Sequence, residues 1–276
     1  MAGKYSISMI GKSMPFPDAP RVVYKNNPLE KVICQLRFPP ILKIDTEVPD
    51  KFQERIRDRF PEFSEKAEIK LPIFKNSQKD IPINLLQSIT PTGNKNYEFS
   101  SEDKVWTINL TRTFIALSTN KYKRREEFRE HFNAPLEAFI NIYKPSAFSR
   151  VGLRYIDIIR RSKLKLENVS WSELLRPHVL WLLGSCDVNK NIRSFQAQCE
   201  IELEDKISIA RIITGLVDGQ ESEEECFMID TDFYTTKKTA ITDVDSKLDY
   251  FHIQGSKLIQ WLITKRLHEA MEPEKL

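Results

Sequence analysis

The chain has 276 residues, of which 41% are hydrophobic, 29% charged and 10% aromatic, a balance that fits a globular protein with a sizeable core and excludes disorder, collagen and coiled coil. Lys and Arg total 42 against 39 Asp and Glu, so the formal charge is only +3 and bulk cationic attraction to nucleic acid is excluded as the basis of function. Eight glycines against 15 prolines leave little material for phosphate-cradling loops, and no run nears the ~18 consecutive apolar residues of a membrane span.

The first 27 residues read as an extended arm, because Pro15-Phe16-Pro17-Asp18-Ala19-Pro20 removes backbone donors and restricts each preceding residue. Lys31 to Phe38 alternates and is β-rich up to Pro39-Pro40, the pattern of a strand. A helix is predicted from Val48-Pro49-Asp50 to Pro61, with Phe52, Ile56 and Phe60 on one face. Residues 62–95 are less regular, with a strand expected at Asn84 to Thr90 and a turn at Pro91-Thr92-Gly93-Asn94. Three antiparallel strands follow at Tyr97 to Ser100, Val105 to Leu110 and Phe114 to Ser118, then a long helix from Arg124 to Ile142 with Phe128, Phe132, Leu136 and Phe139 on one stripe. The order then recurs: a strand at Arg150 to Asp157, a helix at Trp171 to Leu183, strands at Phe195 to Glu202, Ile207 to Leu216 and Cys226 to Tyr234, and a final helix from Ser246 to Ala270.

The expected class is therefore α+β, with two related strand, helix, three-strand, helix units and mainly antiparallel sheets. The division is an arm at 1–27, a first unit at 28–146 and a second at 147–276. Leu36-Arg37-Phe38 matches Leu153-Arg154-Tyr155, and Ser118 to Tyr122 matches Asp230 to Tyr234, so an internal duplication is expected. Two such units can merge their sheets about a pseudo-two-fold axis, with helices on one face and a curved groove on the other.

The nucleotide and hydrolase motifs fail. Gly11-Lys12-Ser13 ends like a Walker loop, but its first glycine would have to be Ser6, and neither G-x-G-x-x-G nor G-x-S-x-G occurs. The four cysteines lack a C-x-x-C pair, and Cys34 and Cys199 sit in strand-like runs as small hydrophobes, so neither structural zinc nor a disulfide framework is expected. The histidines His131, His178, His252 and His268 show no metal spacing.

Three constellations offer chemistry. Asp50, Glu68 and Lys70 have the residue types of a nuclease in which carboxylates hold Mg²⁺ and a lysine polarises water, although an Asp at a helix start is also simply favoured by the dipole. Asp230 and Asp232 alternate on one strand and so share a face, which suits a hard cation such as Mg²⁺ or, more plainly, a solvated surface. Arg37 and Arg154 are each the centre of a Leu-Arg-aromatic triplet and need an anionic partner, either an internal carboxylate such as Asp230 or Asp232, which is favoured, or an anionic ligand. Lys121 to Arg129 is the densest basic run, but its interleaved glutamates suggest a charged outer helix face, and Glu221 to Glu225 reads as a hairpin loop.

Tyr24 to Phe38, Phe148 to Asp157, and Phe251-His252 leading to Leu262-Ile263-Thr264 resemble the marker segments of a sporadically distributed, functionally uncharacterised prokaryotic family of about this length. The resemblance implies an accessory role in mobile-element or phage-defence loci and supplies no catalytic residues. The favoured expectation is a cytoplasmic, non-enzymatic binding protein that engages a protein partner, a second copy of itself or an anionic ligand through Arg37 and Arg154. Nucleic acid is not favoured as a partner, and no membrane contact is expected. The alternative is a metal-dependent nuclease or phosphoryl-transfer enzyme using Mg²⁺ with Asp50, Glu68 and Lys70 or with the Asp230/Asp232 pair.

Overall fold

The computed structural model describes residues 15–70, 90–185, 187–219 and 224–275, without the side chains of 67–70, 90–94 and 190. The chain is α+β, and its sheets are antiparallel throughout these residues.

The first-half strands are β1 (Val22–Tyr24), β2 (Leu29–Arg37), β3 (Glu62–Lys70), β4 (Thr90–Ser100), β5 (Trp106–Leu110) and β6 (Phe114–Thr119). Two short helices, α1 (Lys43–Thr46) and α2 (Asp50–Ile56), lie between β2 and β3, and the long α3 (Arg125–Tyr143) follows β6. The second half contains β7 (Arg150–Ile159), α4 (Trp171–Leu174), α5 (Pro177–Leu180), β8 (Gln196–Glu202), β9 (Ser208–Asp218) and β10 (Glu225–Thr235), then α6 (Val244–Leu262), α7 (Lys265–Ala270) and β11 (Pro273–Lys275).

Nine strands form one sheet in the order β3-β4-β5-β6-β2-β7-β10-β9-β8. Outward from the central β2–β7 pair come β6, β5 and β4 on one side and β10, β9 and β8 on the other. The residue matches quoted for a duplication do not share one axis of this sheet. An axis through the Gln35–Gly152 pair would carry Arg37 onto Arg154, but it carries Ser118 past the end of β10 rather than onto Asp230.

One face of the sheet carries the main core. Val32, Cys34 and Leu36 of β2, Val151, Leu153 and Tyr155 of β7, and Phe227, Ile229 and Phe233 of β10 are buried against Phe128, Phe132 and Phe139 of α3 and Phe251 and Leu258 of α6. Tilted ring contacts such as Phe38–Phe139 and Trp106–Phe128 lock α3 onto the first half. The opposite face bears a smaller cluster of Ile158, Ile213, Val217, Cys226 and Met228, beside a row of ion pairs.

Several element expectations are corrected. The helix predicted at 48–61 stops at Ile56, and Phe60 reaches the core from the following turn. Residues 62–70 form β3, whose mostly polar pattern hides a strand. The turn expected at Pro91 to Asn94 is instead part of β4, at an irregularity where Ala67 pairs with Lys95 and Ile69 with Pro91. The strand expected at Asn84 lies outside the described residues as far as residue 89. The helix predicted at 171–183 is broken into α4, α5 and a 3₁₀ turn, because Pro177 cannot continue α4 and instead opens α5. The terminal helix breaks at Ile263, which bridges to Leu175, and Thr264 restarts it by accepting a hydrogen bond from the Leu267 N–H. Cys199 is exposed on the edge strand β8, not packed like Cys34.

The extended arm is anchored where it is described. Phe16 is fully buried against Trp261 of α6, and β1 pairs with β11, so residues from near the two ends of the chain form a two-stranded clasp. No helix is long and apolar enough to cross a membrane among the described residues.

Candidate functional site

The sheet register settles where the sequence-predicted arginines point. Arg37 lies opposite Arg150 and Arg154 opposite Ile33, so all four share the face away from α3 and α6, with Arg37 and Arg154 four residues, roughly 13 Å, apart along the strands. Arg154 donates through Nε and Nη2 to the two carboxylate oxygens of Asp230 at 2.7 and 2.5 Å. Asp230 is 2% exposed, so this fork satisfies a buried charge. Arg150 donates from Nη2 alone to both oxygens of Asp232, at 2.8 and 2.7 Å, and lies over the Tyr234 ring. Arg37 is exposed and donates from Nε to Gln35. The internal carboxylate foreseen for Arg154 is thus Asp230, and both members of the Asp230/Asp232 pair are occupied by arginines.

The proposed nuclease residues are not assembled by any described contact. Asp50 sits exposed at the start of α2, where its Oδ1 accepts from the Lys51 N–H, while Glu68 and Lys70 belong to the edge strand β3 with side chains outside the description. Among the described residues no three His, Cys, Asp or Glu side chains are grouped to hold a metal. The basic run at 121–129 does form a charged helix face, but its partners lie on α6 rather than within α3: Arg125 pairs with Asp249 and Arg129 with Asp245.

The concavity that stands out is on the helix-covered side, between β1, the central strands, the start of α3 and α6. It encloses about 870 Å³, its open mouth included. The bulge in β2 between Leu29 and Lys31 shapes its floor: it lets Leu29 face the same side as Val32, directly opposite Asp157 of β7. Asp157 is 6% exposed and lines the cleft, yet no ion pair or side-chain hydrogen bond engages its carboxylate among the described residues. Burial, reinforced by the charge of Asp230 across the sheet, raises its pKa to about 7. Thr231 of β10 shares the floor, and Tyr155, Ile229, Phe233 and Ile259 give apolar walls.

Other polar groups of the cleft are already committed. The Tyr24 hydroxyl lies 2.8 Å from Nδ1 of His268, and the Tyr155 hydroxyl 3.2 Å from Nδ1 of His252. Burial raises the phenol pKa of Tyr24, Tyr122 and Tyr155, so these remain hydroxyls. Burial, with Arg21 and Arg125 nearby, lowers His252 to about 4, so its ring is neutral near pH 7.

The rim is cationic. Arg21, Lys123, Arg124 and Arg125 line the mouth; Arg21 is paired with Glu126 and Arg125 with Asp249, while Lys123 and Arg124 are exposed and form no ion pair among the described residues. They stand at the amino end of the 19-residue α3, whose N-cap Arg124 makes no side-chain cap, so N–H groups and the positive end of the helix dipole add to the rim. Glu126 is at the same end, held in its ionised form by the Arg21 hydrogen bond.

Sequence reasoning missed Asp157 as a site residue, although a carboxylate inside Tyr155-Ile156-Asp157-Ile158-Ile159 is a signal: an acid in so apolar a strand must be paired or functional. No protein-family profile matches the chain, and no curated protein matches it significantly.

Proposed function

We propose that this is a non-enzymatic binding protein that takes a small anionic ligand into the cleft between β1, β7, β10 and α6, within the accessory role that the family resemblance implies. The observation that carries this reading is the combination of a buried Asp157 at the floor, without a partner among the described residues, and a cationic rim at the start of α3. A carboxylate left without a partner in an apolar strand costs stability unless something else uses it. The cations at the mouth add long-range attraction for an anion and a place to hold it, although the net charge of the whole chain is small. Arg37 and Arg154 move out of the ligand site in this reading, because Arg154 spends its fork on Asp230.

Titration of the intact chain with sodium tripolyphosphate and with a mixture of nucleoside monophosphates, followed by thermal melting, tests the reading. At least one should raise the melting temperature in a concentration-dependent way, and the doubly substituted Lys123→Ala/Arg124→Ala chain should lose most of that shift. No shift with any of these probes, or an equal shift in the substituted chain, would overturn it.

A further inference from the structure

From the arrangement of floor, walls and rim we infer that the ligand is a guanine nucleotide, its base buried against Asp157 and its phosphate held at the amino end of α3. This deepens the reading above and depends on it.

The floor selects the base. An ionised carboxylate is acceptor-only, with two oxygens side by side. Guanine presents two adjacent donors, N1–H and N2–H, on one edge and can meet both oxygens. Adenine and cytosine each place a ring-nitrogen acceptor beside their amino donor, and that lone pair would face a carboxylate oxygen. Uracil offers a single donor between two carbonyls. Asp157 is open to such an edge because nothing in the described structure occupies its oxygens. The Thr231 hydroxyl, which among the described residues also carries no side-chain hydrogen bond, is a second polar group of the same floor.

The walls suit a flat ring. Tyr155, Ile229, Phe233 and Ile259 are apolar or aromatic. The rim then suits the other end of the ligand. Lys123 and Arg124, with the positive end of the α3 dipole, supply charge and donors for a phosphate, and Arg21 pairs with the nearby Glu126.

The groups facing Asp157 leave it alone as the titrating element of the floor between pH 5 and 8. Tyr24 from β1 and Tyr155 from β7 ionise well above that range and His252 from α6 near 4, while the Asp230 carboxylate lies on the opposite face of the sheet in the fork of Arg154. Binding of guanine needs the ionised carboxylate, so affinity should fall as pH drops below about 7.

Calorimetric titration of the intact chain with GMP, AMP, XMP and sodium tripolyphosphate is the deciding experiment, run on the unsubstituted chain and on Asp157→Asn. The substituted amide is isosteric and uncharged, so it should fold, which circular dichroism checks. GMP should bind about ten- to a hundred-fold more tightly than AMP to the unsubstituted chain, in line with the worth of one bidentate base contact. Asp157→Asn should reverse the preference from GMP to XMP, since xanthine replaces the second donor with an acceptor that an amide N–H can meet. Its pH profile should retain only the phosphate's own ionisation near 6. Equal affinity for GMP and AMP, or a GMP preference that survives Asp157→Asn, would overturn the guanine assignment while tripolyphosphate binding sensitive to Lys123 and Arg124 left the anion reading standing. Absence of binding by every probe would remove both.

Discussion

At the residue scale Asp157 and His252 pull stability in opposite directions with pH, and the difference can be measured without any ligand. Folding raises the Asp157 pKa from 3.8 to about 7, so the native state binds this proton more tightly than the unfolded chain. Its stabilising contribution is present below 3.8 and is lost as pH rises through about 7. His252 is lowered from 6.5 to about 4; its contribution is present above 6.5 and is lost as pH falls through about 4. The two slopes oppose each other between these values. Asp157→Asn should therefore be more stable than the unsubstituted chain at pH 8, by a few kcal/mol at most, and the gain should shrink toward zero by pH 4. Urea melts at the two pH values check this, and an equal difference at both would show that Asp157 is not held with its proton. The Arg154–Asp230 fork was legible in the sequence because strand alternation puts Asp230 and Asp232 on one face and an arginine among apolar neighbours needs a carboxylate. Asp157 was not, because nothing in a linear pattern says which strand neighbours will leave it unpartnered.

At the element scale the short apolar, β-rich runs were legible almost to the residue, as the alternating β5 and the nearly continuously buried β6 and β10 show. What failed was punctuation. Pro177 sits inside an apolar helical pattern yet splits it, whereas Pro135 is tolerated in the interior of α3, where tertiary packing of Phe132 and Phe139 holds the helix together. Strand β3 failed for a different reason: an edge strand pairs on one side and buries little, so its composition need not be apolar. Glycine gives a testable case on the other flank. Gly215 of β9 lies where β8 enters the sheet, and a Cβ there would stand 2.6 Å from the Phe195 carbonyl oxygen, which itself accepts the Leu216 N–H at 3.0 Å. Because the obstacle is backbone, it cannot rotate away. Gly215→Ala should cost about 1–3 kcal/mol and loosen the β8–β9 pairing, seen as a lower urea midpoint and faster amide exchange in β8. An unchanged midpoint would mean that the start of β8 can shift without loss.

At the scale of the whole molecule the nine-stranded sheet closes its central pair with residues far apart in sequence, and the β1–β11 clasp does the same with the ends. The α+β class was legible because strands cluster in threes without alternating helices; the clasp was not, since three-residue strands carry no periodicity. The clasp also bears on the cleft. Val22, Val23 and Tyr24 form one wall, and they are held by pairing with Lys275, Glu274 and Pro273, by the Lys25 N–H bond to the Glu272 carbonyl, and by the Lys25–Glu274 ion pair. Ending the chain after Met271 removes these contacts and leaves the Tyr24–His268 contact and the Phe16–Trp261 packing in place. The core is untouched, so the loss should be confined to one or two net hydrogen bonds, about 1–2 kcal/mol, and the shortened chain should remain folded. Amides of Val22 to Tyr24 should then exchange faster while those of β7 and β10 do not. Affinity for whichever cleft probe binds should fall with them, because a wall that must be ordered on binding consumes part of the interaction energy. Unchanged exchange at β1 would show that the arm is held by Phe16 and Tyr24 alone. Faster exchange with undiminished binding would place the ligand away from this wall.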